Sequence, residues 1–526
     1  MRSMSRRDAF RFLGATGVAL AGCKSEDDGT GSVEGDLNPF RCGNGDKFAA
    51  ATAKAPEELR GYEKVVILMM ENRSFDHYFG HLSLPTSLGG EGRIDVDGFK
   101  GNEMQYLAQG GARTAFKPFA ANGYEIGDID HEWAACHGQF NGGKMDGFIQ
   151  MHFADLERKR LAQTANCGKV CAAVGDPMAY YTRKDTPVFH QLLDNYALCD
   201  RWFSSVMGPT WPNRFYLHAA TSCGEKANNK IAIAKKPKDD TQARTIWHEA
   251  SDKCVSAVNY SVDVAFELGG FGALNGTITN NVVFGKSPKR TSGPHDNVTM
   301  PASWENASFE EACTYGCLPT ISVIDPAFVL APCDDHPPHD VQAGQAFVAS
   351  IYKLLTSNEE QWNKTLFIIT YDEHGSFYDH VAPPSVAEDE RPEFRQLGFR
   401  VPALVIGPNV KKNYVSHVQY DHVSFLSTIS RRFGLTPLNA RVSAANDVRD
   451  AIDRDALETA NRPSPIKLAT VTLSESRVHE SIRNSLGQSE LADRNLGGPA
   501  TLEQKRRATS ELLGVFDRLG TASIRG

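Results

Sequence analysis

Two short apolar runs, far apart in the chain, end in the same way. Val65 to Met70 is followed by Glu71 and Asn72, and Leu366 to Tyr371 is followed by Asp372 and Glu373. A short apolar run, rich in β-branched residues and bounded by polar ones, reads as a buried strand of a parallel sheet. Ligands of open α/β sheets bind in the crevice at the carboxyl ends of the strands. A carboxylate beside an amide there offers hard oxygens to a divalent cation. The first run alone also admits a plainer reading, in which Glu71 pairs with Arg73, Asn72 makes a turn and Ser74 caps the next helix. The second run decides between them. Two such ends in one sheet bring Glu71, Asn72, Asp372 and Glu373 around one cation, and a buried acidic cluster needs that countercharge.

The rest of the chain fits the same α/β class. Further buried strands are predicted at 318–325, ending in Asp325, and at 401–408. Helices are predicted near 190–196, 343–355, 422–433 and 503–519. Residues 81–127 are glycine-rich and read as loops with short strands. Residues 225–310 are strand-like, with Asn275-Gly276 and Ser292-Gly293 turns, and read as an insertion covering the site. After a Gly208-Pro209 turn, Thr210 precedes Pro212 and an amphipathic run, so Thr210 is placed as an N-cap. A hydroxyl at a helix N-terminus also sits where backbone N–H groups favour a phosphate, so cap and nucleophile are compatible roles. His131 and His137 lie six apart, which is not one helical face. Asp334, Asp335, His336 and His339 form a proline-stiffened cluster of potential ligands, or else a solvated acidic loop.

Composition limits the remaining choices. The chain has 526 residues, 41% hydrophobic and 23% charged, which is ordinary for a globular protein. A net charge of −8 gives no basic footprint, so nucleic acid is not an expected partner. Arg6-Arg7 followed by the weakly apolar Leu13 to Leu20 resembles a twin-arginine export signal, and Leu20-Ala21-Gly22-Cys23 resembles a lipobox with Cys23 as the acylated residue. The expected protein is therefore an exported lipoprotein, periplasmic or at the cell surface. Its signal spans 1–23, a tether 24–60, a catalytic domain 61–460, and an extension 461–526 packs on that domain. The ten other cysteines form an even set, which in an oxidising compartment suggests disulfides. Cys167/Cys171 and Cys313/Cys317 could instead be halves of a zinc site.

Several motifs recur in order: Met70-Glu71-Asn72-Arg73-Ser74-Phe75-Asp76-His77-Tyr78-Phe79-Gly80, His131-Glu132-Trp133, Gly208-Pro209-Thr210 with Pro212-Asn213-Arg214, Asp335-His336-Pro337, and Tyr371-Asp372-Glu373-His374-Gly375. Over residues 62 to 455 the chain resembles the bacterial phosphoesterase family of non-haemolytic phospholipases C and acid phosphatases. The resemblance implies an alkaline-phosphatase-like α/β/α sandwich. It also implies metal ligation by Glu71, Asn72, Asp372 and Glu373, and Thr210 as nucleophile. His131 and His336 would bind phosphate or protonate the leaving group. His339, His374 and His380 are expected to support the site or the fold. The chain is too short for the extra C-terminal β domains of the longest phospholipases, and threonine rather than serine at 210 leans toward phospholipase C.

The expected function is metal-dependent hydrolysis of phosphoric esters, foremost phospholipase C action on phosphatidylcholine-like lipids through a phospho-threonine. A broad acid phosphatase is the alternative within the class, and a surface lipoprotein binding phosphorylated ligands without turnover is the alternative outside it. Oxygen ligands suggest Ca²⁺, Mg²⁺ or Mn²⁺, with Zn²⁺ compatible with nearby histidines. The expected partners are a phospholipid or phosphate-ester substrate and, through the lipid anchor, a membrane.

Overall fold

A computed structural model describes residues 53–162, 172–233, 239, 241–253, 255–263, 279–285, 290–292, 299–301, 307–459, 462–484 and 501–525. Its centre is an eight-stranded sheet. In chain order the strands are β1 (Lys64–Met70), β2 (Ala197–Cys199), β3 (Ala257–Ser261), β4 (Thr279–Val282), β5 (Ile321–Asp325), β6 (Thr365–Tyr371), β7 (Ala403–Ile406) and β8 (Tyr414–Ser416). Across the sheet they run β4-β3-β5-β1-β6-β7-β2-β8. All pairings are parallel except those of β7, which runs against both β6 and β2. Val65 to Met70 and every residue of β6 are buried, so both faces of the central strands are covered.

Helices supply that cover in two groups. On one side α4 (Pro187–Leu193) and α8 (Leu502–Leu519) pack on α6 (Val341–Leu355). On the other, α5 (Thr210–Ala219) packs on α7 (Val423–Phe433). The result is the three-layer α/β/α sandwich expected from the sequence. Three further helices bear on the site: α1 (Phe75–Phe79), α2 (Trp133–Phe140) and α3 (Phe148–Leu161).

The sheet register positions the chemistry. Met70 sits beside Tyr371, so the residues that follow, Glu71 and Asp372, emerge side by side. On the other flank Leu68 sits beside Ile324, which brings Asp325 to the same edge. The stretch 225–310, expected as a covering insertion, places β3 and β4 at the end of this sheet. Within it β3 pairs with β5, and Asn228 lines the cavity described below. The tail is tied down by Arg477 on Asp340 and by a 2.7 Å hydrogen bond between the Ser350 and Thr521 hydroxyls.

Two expectations are corrected. Cys136, Cys199, Cys313 and Cys333 are buried thiols outside any disulfide, each packed as a small apolar side chain in the core. Cys313 therefore does not bridge to Cys317, and neither belongs to a cluster of metal-ligating groups among the described residues. Thr210 is the first residue of α5, and Pro209 holds the N-cap position in extended backbone. The export signal, Cys23, most of the tether, and Cys42, Cys167, Cys171 and Cys254 lie outside the described residues.

Candidate active site

A cavity of about 500 Å³ opens above the carboxyl ends of β1 and β5. Glu71, Asp128, His131, Thr210, Asp334 and His336 are among the residues that line it, with Trp211 and Phe328 adding aromatic surface. Asn72, Asp372 and Glu373 lie at the base, fully buried.

The turn after β1 builds one wall. Asn72 adopts a left-handed backbone, φ 61°, which asparagine tolerates better than most residues. Its N–H donates to Asp372 Oδ1 at 2.9 Å and locks the two strand ends together. Its side-chain amide faces two further groups. Asn72 Oδ1 accepts from the Thr210 hydroxyl at 3.5 Å, and Nδ2 lies 3.1 Å from His131 Nε2. Ser74 does cap α1, accepting from the His77 N–H at 3.1 Å, so that part of the plainer reading coexists with the site. Arg73 does not pair with Glu71; it donates to the Asp335 carbonyl at 2.8 Å.

Glu71 instead faces Arg214, which the sequence reading left without a role. Arg214 lies four residues after Thr210, one turn along α5, and is fully buried. Its guanidinium is 3.3 Å from Glu71 Oε1, 3.3 Å from Asp325 Oδ1 and 3.7 Å from Asp372 Oδ2. One cation thus faces three strand-end carboxylates. Burial raises Glu71, Asp372 and Glu373 above the usual carboxylate range, Asp372 to about 6, even though Arg214 pulls Glu71 and Asp372 down. Glu71 Oε1, Asp372 Oδ2 and Glu373 Oε1 are buried without hydrogen-bond partners. Unsatisfied carboxylate oxygens converging beside an amide oxygen fit a divalent cation. The donor set is hard oxygen throughout, which suits Mg²⁺, Mn²⁺ or Ca²⁺, while the histidines at the rim keep Zn²⁺ compatible.

The two site histidines are shifted in opposite directions. Burial opposes protonation of His131, but Glu373 and Asp128 outweigh it and push the ring up to about 10. Its Nδ1 donates to the Ile129 carbonyl at 2.7 Å, and Nε2 lies 3.7 Å from Glu373 Oε1. Burial lowers His336 to about 4, so at neutral pH it is uncharged. Its Nδ1–H donates to the Pro337 carbonyl at 2.5 Å, which leaves Nε2 as an acceptor. Asp128, also missed from sequence, lies 3.7 Å from His131 Nδ1 and has a buried oxygen without a hydrogen-bond partner.

The supporting histidines lie outside the cavity or at its edge. His339 holds Asp334 at 2.6 Å, and Asp334 also accepts from the His336 N–H at 3.0 Å. His374 contacts Glu373 Oε2 at 3.2 Å and Gln139 at 2.8 Å. His380 belongs to a separate ion-pair cluster with Asp76. Asp335 points away from the cavity and accepts hydrogen bonds from Tyr78 at 2.8 Å and Tyr371 at 2.5 Å.

Residues 62–436 match the family model described as Phosphoesterase family. Among curated relatives, Phospholipase C B of Mycobacterium tuberculosis is 29% identical over 450 residues, covering 79% of this chain and 81% of that protein. Non-specific phospholipase C3 of Arabidopsis thaliana is 30% identical over 447 residues, covering 78% and 76%. Among solved structures, murine ectonucleotide pyrophosphatase/phosphodiesterase 5 aligns at 14% identity over 51% of this chain and 95% of that one. Its TM-score of 0.31 is too low to bear on the site. The matched span runs from Tyr62, two residues before β1, through α7, and takes in every residue of the cavity floor; the chain belongs to the phosphoesterase family.

Proposed function

We propose that this phosphoric ester hydrolase is a phospholipase C acting on phosphatidylcholine-like lipids, with Thr210 as the nucleophile of a covalent phospho-enzyme. The observation that carries the reading is the placement of Thr210. Its hydroxyl is at the N-terminus of a ten-residue helix, lines the cavity and donates to Asn72 above three buried carboxylate oxygens that lack a hydrogen-bond partner.

Glu71, Asn72, Asp372 and Glu373 would hold the divalent cation. Such an ion supplies positive charge against phosphoryl oxygens and lowers the pKa of a neighbouring hydroxyl. The chain's own groups do the rest. Asn72 Oδ1 fixes the Thr210 hydroxyl, and Thr210 Oγ1 attacks phosphorus as the alcohol departs. In the first turn of α5 Pro212 carries no N–H and the Trp211 N–H donates to Asn228 Oδ1 at 2.9 Å, so the charge spread over the phosphoryl oxygens would be met by the ion and the rim histidines. His131, held with Nε2 beside the Asn72 amide, would bind a phosphoryl oxygen or protonate the departing alcohol. His336, neutral, accepts one at Nε2, as activation of the water that releases the second product requires. Trp211 and Phe328 give part of the wall apolar surface, which favours a lipid or choline-bearing substrate over a small monoester. The relatives' names as phospholipases C support the same choice. The paired arginines and Cys23 support export and lipid anchoring, which labelling the expressed precursor with a palmitate analogue tests, Cys23→Ala being the control.

The substrate test is hydrolysis of p-nitrophenyl phosphorylcholine and p-nitrophenyl phosphate side by side after metal reconstitution, with Thr210→Ala as control. Cleavage of the choline diester that vanishes in the variant is expected. Cleavage of the monoester alone would move the protein to acid phosphatase. Binding of phosphate with neither ester cleaved would make it a binding lipoprotein.

A further inference from the structure

Away from the cavity, a second set of ligand-type side chains converges. His81, in the 3₁₀ turn Gly80–Leu82 that follows α1, and His190, in α4, are both buried. Glu91, from the loop between them, is partly exposed, 28% by side chain. His81 Nε2 lies 3.2 Å from His190 Nε2 and 3.4 Å from Glu91 Oε1. None of the three lines the cavity.

Those separations match a metal's ligand shell. Zn–N bonds of about 2.0–2.1 Å in tetrahedral geometry place ligand atoms about 3.3–3.4 Å apart. His190 is already in the right tautomer. Its Nδ1 faces the Thr186 carbonyl at 2.8 Å, so the proton is there and Nε2 carries the lone pair. A backbone carbonyl behind the far nitrogen is the usual orienting partner of a ligating histidine. In the metal-free arrangement the His81 proton sits on Nε2, which faces the His190 Nε2 lone pair and Glu91, while Nδ1 is buried without a hydrogen-bond partner, so an ion binding at His81 Nε2 displaces that proton. Glu91 also reaches the site by its backbone, whose N–H donates to the His81 carbonyl at 3.1 Å.

We propose that His81, His190 and Glu91 form a structural metal site for a Zn²⁺-class ion, with water in the remaining position, stapling the loop 83–95 to α1 and α4. The competing arrangement is a plain ion-pair cluster. Arg183 donates to both oxygens of Glu91, at 3.0 and 2.8 Å, and also to Asp194 at 2.6 Å. In that arrangement His81 simply hydrogen-bonds to His190 and Glu91. The two differ in what Arg183 does, because a guanidinium on the ligand carboxylate repels a bound metal ion and stabilises an ion-pair cluster.

The test uses the full chain, stripped of metal, with Asp372→Asn, Glu373→Gln, Asp128→Asn and His336→Gln added to silence both ligand clusters of the cavity. Zn²⁺ is titrated by calorimetry, and Co²⁺ substitution is read by its visible d–d absorption. One equivalent of Zn²⁺ and a tetrahedral Co²⁺ spectrum are expected. Glu91→Gln, on a partly exposed side chain that leaves the core intact, should weaken binding by at least about tenfold, and Arg183→Ala should tighten it. In the otherwise unaltered chain, Glu91→Gln should lower the Zn²⁺ stoichiometry by one. No uptake at this site, or uptake that Glu91→Gln leaves unchanged, would overturn the assignment. Weaker binding in Arg183→Ala would also count against it.

Discussion

At the scale of single residues, the account rests on Thr210 and Arg214. Thr210→Ala removes the oxygen proposed to attack, so turnover of p-nitrophenyl phosphorylcholine should fall by about three orders of magnitude or more, while Thr210→Ser keeps the hydroxyl and should keep turnover. Arg214→Leu leaves Glu71, Asp325 and Asp372 buried without their shared cation. Removing one partner of a buried ion pair costs about 3–5 kcal/mol, so urea unfolding of the metal-free variant should show a loss of that order. Added Mg²⁺ or Mn²⁺ should restore more stability to the variant than to the parent, because the ion replaces the missing charge. Equal responses in the two would show that Arg214 and the ion do not share these carboxylates. Thr210 was visible in sequence through its Gly-Pro turn. Arg214 was not, although it stands one turn further along the same helix. Its signal lay in charge balance, since strand-end carboxylates imply a buried cation and the chain offers one in Pro212-Asn213-Arg214.

At the scale of elements, the strands were legible and their register was not. Apolar runs mark β1, β5 and β6, yet only pairing shows that Met70 meets Tyr371 and thus that Glu71 meets Asp372. Short strands such as β2 and β8, three residues each, carry too few positions for periodicity to show. In the stretch 225–310 the alternating pattern did not reveal that β3 and β4 extend the central sheet, because an edge strand and a covering subdomain have the same pattern. Elements are also tied by charge. Arg400 joins α1 to the loop after β6, 3.1 Å from Asp76 and 2.9 Å from Asp379. His380 adds a 2.6 Å contact to Asp76 and a 3.3 Å contact to Asp97. Burial opposes the charge on His380, but Asp76 outweighs it and raises the ring to about 10. A raised folded-state value means stability that is fully present below the unfolded value near 6.5 and is lost as pH rises toward 10. Thermal melts from pH 6.5 to 10 should therefore show a decline that His380→Gln flattens. An unchanged slope in the variant would place the charge elsewhere.

At the scale of the whole molecule, the cavity floor is the meeting point of both halves of the sheet, so an ion there ties them together. At a concentration of 100 Kd, a ligand that binds only the folded state adds about 2.7 kcal/mol. Chelation should accordingly lower the melting temperature by a few degrees, and Asp372→Asn should remove most of that difference. The chain-wide resemblance made the sandwich and the hydrolase class legible from sequence. The thiol state was not, because an even cysteine count carries no information on burial, and Cys136, Cys199, Cys313 and Cys333 are interior. The central claim is that the ester bond is broken in two displacements with Thr210 attacking first. The direct measurement is the stereochemical course at phosphorus, with a chiral phosphorothioate analogue of p-nitrophenyl phosphorylcholine hydrolysed in ¹⁸O-water. Two in-line displacements predict net retention of configuration. Net inversion would mean that water attacks directly, and Thr210 would then not be the nucleophile.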